Sequence, residues 1–293
     1  MRWATYASLT VAIVLVLAKL VAWAYSDSMS LLATLIDSTL DVLASAINLI
    51  AVRHALTPAD KEHRFGHGKA EALAGLGQAA FVAGSAGFLL LGAARRLLDP
   101  QPINEYGIGL AVMVFSIIAT FALLTFQRYV VRQTGSTAIL ADALHYRTDL
   151  LINVSVIAAL VMAAQGWAGF DPLFAVGIAI YILYSAWEIV RQSLDHLMDR
   201  ELPDSDRDAI KKIVMQHSAV RGLHDLRTRQ AGTSTFIQLH LELDDELSLL
   251  QAHHISDEVE VLLQSHFIEA QIIIHVDPVS IVPTEPMPDF LRS

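Results

Sequence analysis

The 293-residue sequence contains no cysteine, which excludes disulfides and thiolate metal ligands together. The ligands left for a hard or borderline metal ion are oxygen and imidazole nitrogen. Charge is scarce as well: Asp, Glu, Lys and Arg make up 17% of the residues, against about 25% in an ordinary soluble domain. The charge that remains is acidic, net −10 with histidines neutral, which argues against a nucleic-acid partner. Neither an internal repeat nor a low-complexity tract is evident. In their place stands apolar chain, with a mean hydropathy of +0.47.

The apolar residues gather in runs such as "LTVAIVLVLAKLVAWAY" and "IGLAVMVFSIIATFALLTF". Each run, with its flanks, is long enough to cross a hydrocarbon layer of about 30 Å as a helix. Six spans are expected, at 5–25, 31–55, 70–94, 107–130, 137–164 and 172–193. The first has no small-residue cleavage site followed by a polar chain, so it reads as a permanent span rather than a signal peptide. Arg2, Arg53, Lys61, Arg64, Lys69, Arg128, Arg132 and Arg191 fall at one set of helix ends, with Arg95 and Arg96 at the other. That excess places both termini in the cytoplasm.

Near residue 198 the composition changes. "PDSDRDAIKKIVMQHS" and "SLLQAHHISDEVEVLLQSHF" read as amphipathic helices, and "GLHDLRTRQ", "TFIQLHLEL" and "AQIIIHVDP" as strands. The order αββαβ predicts a small open sheet with helices on one face. The expected organisation is a six-helix transmembrane domain over 1–197, a cytoplasmic α+β domain over 198–280 and a disordered tail over 281–293.

The second and fifth spans carry acids where the medium should be hydrocarbon. In "LIDSTLD", Asp37 and Asp41 share a helical face, and in "LHYRTD" so do His145 and Asp149. An ionised group at the bilayer centre costs about 2.5–3.5 kcal/mol on insertion scales. If the two stripes face each other, three carboxylates and one imidazole converge, a set that suits a tetrahedral divalent ion such as Zn²⁺. Without metal these groups would take up protons, which metal must expel on binding. The alternative is hydrogen-bonded contact between helices; Asn48 and Asn153 are read that way, Lys19 as snorkelling or pairing, and Arg147 as facing the cavity or the headgroups.

Outside the membrane, Asp60, His63 and His67 give D-x2-H-x3-H, compatible with a divalent ion or with a solvated loop. In "FIQLHLEL" alternation sends Ile237, Leu239, Leu241 and Leu243 to the core and leaves Gln238, His240 and Glu242 opposite. His275 and Asp277 share a face of "IIIHVDP". A solvated polar face is the plain alternative for these residues.

The paired intramembrane motifs, "ADKEHRFGHGKAE" between them, "LHDLRTRQAG" and the terminal "HVDP" together resemble the cation diffusion facilitator family, in its bacterial ferrous-iron and zinc efflux branch. The likeness covers nearly the whole chain. It implies a metallochaperone-like cytoplasmic domain and a homodimer in the bacterial inner membrane, exchanging Zn²⁺, or Cd²⁺ and Fe²⁺, for protons by alternating access. By the resemblance Asp37, Asp41, His145 and Asp149 form the transport site, and Leu144 is a hydrophobic gate. Asp60, His63 and His67 match a second zinc site. His224, His240 and Asp277 would hold one further ion, with His253, His275 and a bridging Asp277 holding its neighbour. His254 stands next to His253 as a substitute. The family often has Gln where this chain has Val276, which puts the second of these ions in doubt if the contact there is made by a side chain. Lys69 and Asp199 match a charge interlock between protomers. His54, His196, His217 and His266 match nothing and read as ordinary surface histidines.

The function expected is an exporter of cytoplasmic divalent metal coupled to protons, and not an enzyme, since H-E-x-x-H or a comparable motif is lacking. The alternative is a membrane zinc sensor through which nothing passes.

Overall fold

The computed structural model describes residues 1–26, 29–98, 108–164, 171–268 and 270–282. The chain divides into two compact units, Met1–Leu197 and Met198–Ser293.

The first unit holds six helices: α1 (Arg2–Ser26), α2 (Met29–Ala55), α3 (Lys69–Leu98), α4 (Ile108–Thr134), α5 (Thr137–Ala164) and α6 (Asp171–Leu197). Among the described residues, α1, α2, α3, α4 and α6 are long and apolar enough to cross a membrane. At 28 residues α5 is of similar length. Several helices overrun the expected spans: α3 continues to Leu98, α4 to Thr134 and α6 to Leu197. At about 1.5 Å per residue these helices outreach the hydrocarbon layer.

Burial within this unit runs opposite to that of a soluble protein. Phe88, Phe121 and Trp187 are exposed on the helix surfaces, whereas Ala79, Ala86, Ala141, Ala179 and Ala186 are buried between helices. Lipid offers no hydrophobic drive for helix association, so contact relies on small residues that let backbones approach closely. Here α3 and α6 pack along most of their length, while α2 and α5 touch over a short stretch. Gly75 marks one close approach, since a Cβ there would lie 3.0 Å from Ser193 Oγ and 3.3 Å from the Thr137 carbonyl oxygen.

The second unit has the order α7 (Asp204–Val214), β1 (Gly222–Ala231), β2 (Ser234–Leu243), α8 (Leu249–His266) and β3 (Gln271–Pro278). β1 and β2 form an antiparallel hairpin through a turn at Gly232, whose φ of 62° lies in the left-handed region. β3 returns parallel to β2, so β2 is central. The side chain of Ser248 caps α8 in a reciprocal pair with Gln251. The predicted alternation holds: Ile237, Leu239, Leu241 and Leu243 are buried, and Ile210, Ile213 and Val214 of α7 and Val259 and Leu263 of α8 cover them. Both helices thus lie on one face, and the other face is left to the polar residues.

After β3 the chain keeps regular structure for one more turn. Val279–Ile281 form a 3-10 turn, and the Ser280 amide donates to Asp245 Oδ1 at 3.0 Å. Residues 283–293 lie outside the described residues, as do the connections at 27–28, 99–107 and 165–170.

Candidate metal sites

Within the helical unit, α2 and α5 bring Asp41, His145 and Asp149 together, with one ligand atom of each inside 4.8 Å of the others. His145 Nε2 lies 2.9 Å from Asp41 Oδ1 and 3.8 Å from Asp149 Oδ2, and the His145 side chain is 6% exposed. At 2.9 Å the imidazole and carboxylate share a hydrogen. Asp37, one turn before Asp41, is exposed and stands outside this group of three, so the expected tetrad is three-quarters closed in this conformation. Lys19 Nζ donates to Ser38 Oγ at 2.5 Å, next in sequence to Asp37, and so is held by a neighbouring helix. Leu144 is buried among Ala79, Val82, Ala179 and Ile182 of α3 and α6.

A buried cluster behind this group escaped the sequence reading. Asp142 Oδ2 accepts from Ser8 Oγ at 2.6 Å and from Gln127 Nε2 at 2.7 Å. Tyr146 Oη donates to the Ser8 carbonyl at 3.0 Å and shares a hydrogen bond with Ser45 Oγ at 2.8 Å. These bonds tie α5 to α1, α2 and α4 on either side of His145. Asp142 was legible as a charged residue in an apolar run. Its partners Ser8 and Gln127 were not legible, because they lie on other helices.

In the loop between α2 and α3, Asp60, His63 and His67 also converge. His67 Nε2 lies 3.3 Å from Asp60 Oδ2, and His63 Nδ1 3.6 Å from Asp60 Oδ1. The backbone N–H of His63, which donates to Asp60 Oδ1 at 2.6 Å, holds the Asp60 carboxyl below the usual carboxylate range. The carboxylate is therefore ionised and ready to bind.

In the second unit a row of histidines crosses the sheet. Register pairs His224 with His240 and His240 with His275, so three imidazoles lie abreast on the face opposite the core, with ring centroids 5.0 and 4.6 Å apart. A bulge between His224 and Arg227, where Asp225 takes a φ of 47°, realigns β1 so that His224 faces His240. Asp277 Oδ2 stands 2.7 Å from His240 Nδ1 and 3.5 Å from His224 Nε2, and these three make a third convergent group. Burial by itself would raise the Asp277 carboxyl. The hydrogen bond with His240 and the three neighbouring imidazoles outweigh it and hold the group below its ordinary value.

Glu242, opposite Asp277 in the register, lies 2.9 Å from His224 Nδ1. It was legible as a residue on the histidine face, but its partner on another strand was not. His275 Nε2 reaches Asp277 Oδ1 at 3.2 Å. His253 is not part of the row: it is exposed on α8 and pairs with Asp257 at 3.4 Å. The expected second set of His253, His275 and Asp277 is thus not assembled in this single chain. Val276 packs against the core, opposite His275 and Asp277, so position 276 can offer the histidine face only its backbone. His217, read as an ordinary surface residue, lies 2.7 Å from Glu258 and links the end of α7 to α8. Lys69 donates to the Leu197 carbonyl at 3.3 Å, and Asp199 accepts from Arg229 at 3.2 Å.

A helical membrane unit with acids and an imidazole converging inside it, joined to a small mixed sheet edged with histidines, defines a membrane protein that handles cations. Residues 5–198 match the family model of the cation efflux transmembrane domain, and residues 202–279 that of the cation efflux protein cytoplasmic domain. The chain belongs to the cation diffusion facilitator family of cation efflux pumps. Its relatives include the cation-efflux pump FieF of Salmonella paratyphi A and that of Salmonella choleraesuis. Each is 49% identical over 282 residues, covering 96% of this chain and 94% of the relative. A solved structure of CzrB in its zinc form is 30% identical and covers 29% of this chain and 98% of its own, with a TM-score of 0.28.

Proposed function

We propose that this pump exports Zn²⁺, with Cd²⁺ and Fe²⁺ as further substrates, from the cytoplasm in exchange for protons. The observation that supports this reading is the meeting of Asp41, His145 and Asp149 from two helices in the apolar unit. With Asp37 these residues would hold the transported ion. The set is of oxygen and imidazole type, suited to zinc, and each member that binds metal must first release its proton. The 2.9 Å pair of Asp41 and His145 is what such a site looks like when a hydrogen holds it together. His145 is the residue assigned to coupling, since its imidazole nitrogen can hold either a proton or a metal ion but not both. Metal entering from the cytoplasm displaces protons, the bundle opens to the other side, and protons taken up there release the metal. Leu144, packed among alanines of α3 and α6, closes the path as a gate.

The proposed setting is a homodimer in the bacterial inner membrane, spanning it six times with both termini cytoplasmic, and joined at Lys69 and Asp199. Zinc at Asp60, His63 and His67, and at His224, His240 and Asp277, has a regulatory role. His253 and His275 would complete the second sheet ion once the domains pair, because His253 lies apart from the row in one chain. The domain division at residue 197 and the limit at 280 are part of the same reading. A sensor that transports nothing is the second reading, favoured by the sheet cluster, which would bind zinc without any path through the membrane.

The deciding experiment measures zinc flux into proteoliposomes with and without a pH gradient. Flux that rises with an opposing proton gradient is expected. Zinc binding with no gradient-dependent flux would establish the sensor instead.

A further inference from the structure

We propose that His54, the penultimate residue of α2, is a fourth ligand of the loop metal site, making it a centre of three imidazoles and one carboxylate. The proposal rests on the reading of Asp60, His63 and His67 as a metal site. That trio is one short of the four protein ligands of a closed tetrahedral zinc centre. Of its carboxylate, Oδ1 is engaged by the amides of Glu62 and His63 at 2.9 and 2.6 Å, leaving Oδ2 toward His67. The loop itself, from Lys61 to Gly66, supplies no Asp or His besides His63, and Glu62 is not among the residues whose ligand atoms converge there.

His54 lies against the site through its contact with His67. Its ring centroid lies 4.6 Å from that of His67, edge-on at 60°, and His63 stands at the same 4.6 Å. His67 is thus flanked by two imidazoles. It is itself oriented: its side chain is 5% exposed, and Nδ1 lies 3.4 Å from the Thr57 carbonyl, which favours a proton there and leaves Nε2 to bind metal. The Thr57 amide in turn donates to the His54 carbonyl at 3.0 Å, so the backbone that carries His54 is fixed against the loop. The His54 side chain is exposed and borders a surface cavity of about 480 Å³, so its ring has room to turn a nitrogen toward Asp60 and His67. The carbonyl end of α2 also favours a cation at this place.

A third imidazole would shift the preference of the site toward Zn²⁺ over hard cations such as Mg²⁺. It would also fasten the loop to the helix that carries Asp41, 13 residues and about 20 Å away along the axis.

The test uses the full chain in detergent with Asp41→Ala and His240→Ala, which remove a ligand from each of the two other clusters. Zinc affinity is measured by competition with a chromophoric chelator, and coordination by the visible absorption of bound Co²⁺. His54→Ala and His54→Asn should each weaken zinc binding at least ~10-fold and change the Co²⁺ spectrum, a loss in the range seen when a metal site is disturbed. Asp60→Ala should abolish binding of this class. Binding and spectrum unchanged in both His54 variants, with loss in Asp60→Ala, would overturn the proposal and leave a three-residue site. Binding unchanged in Asp60→Ala would remove the loop site and the proposal with it.

Discussion

The sheet cluster and the helical cluster of this chain use similar ligands on different supports. In the sheet, His224, His240 and His275 are abreast because backbone hydrogen bonds fix the register of three strands. In the helical unit, Asp41 and His145 meet across α2 and α5, two helices that touch over a short stretch. No backbone bond joins them. The sheet cluster cannot open without breaking a ladder, whereas the helical cluster opens when one helix shifts. A site built to hold suits the first support, and a site that must fill and empty suits the second.

The strongest way to break this comparison is to disable one cluster and watch the other. Asp149→Ala should reduce zinc flux in proteoliposomes at least ~100-fold, since it removes a ligand outright, while zinc binding by the second unit persists. Equal loss of both would mean that the two clusters are not independent.

Acid sharpens it next. Zinc binding at the sheet cluster in the full chain should weaken between pH 7.5 and 5.5, because an imidazole that carries a proton on its binding nitrogen cannot hold the ion. Asp277, held below its ordinary value, stays ionised over that range and does not contribute to the loss. Its own contribution to the stability of the metal-free fold is present above about pH 3.9 and disappears as pH falls through the lower folded value. Zinc competition at stepped pH reads the first effect, and acid unfolding the second.

Glu242 tests whether the sheet cluster is supported from outside its ligands. Glu242→Gln keeps the shape but weakens the hold on His224, and should cost 10–100-fold in zinc affinity at the sheet without reducing zinc flux through the membrane unit. The smallest effect is expected from Ser8→Ala. It removes one donor to the buried Asp142 carboxylate, a loss of about 1.5–3 kcal/mol, read as a lower apparent Tm of the protein in detergent. No change in Tm would mean that Gln127 alone satisfies Asp142.

Much of this was written in residue order. The apolar runs determined where helices form, alternation determined which side of β2 faces the core, and the i,i+4 spacing put His145 and Asp149 on one face. These are local periodicities, and a helix or strand expresses them whatever surrounds it. What the sequence left open were the contacts between elements. Glu242 reaches His224 only because the bulge at Asp225 sets the register. His54 meets His67 only because the chain turns back after Ala55. Asp142 finds Ser8 and Gln127 only once α1, α4 and α5 pack. His253 lies on the helix expected, but the single fold sends it to Asp257 rather than to His275. Residue types and spacing name the ligands available to an ion, while the packing of helices and the register of strands decide which of them can reach the same point.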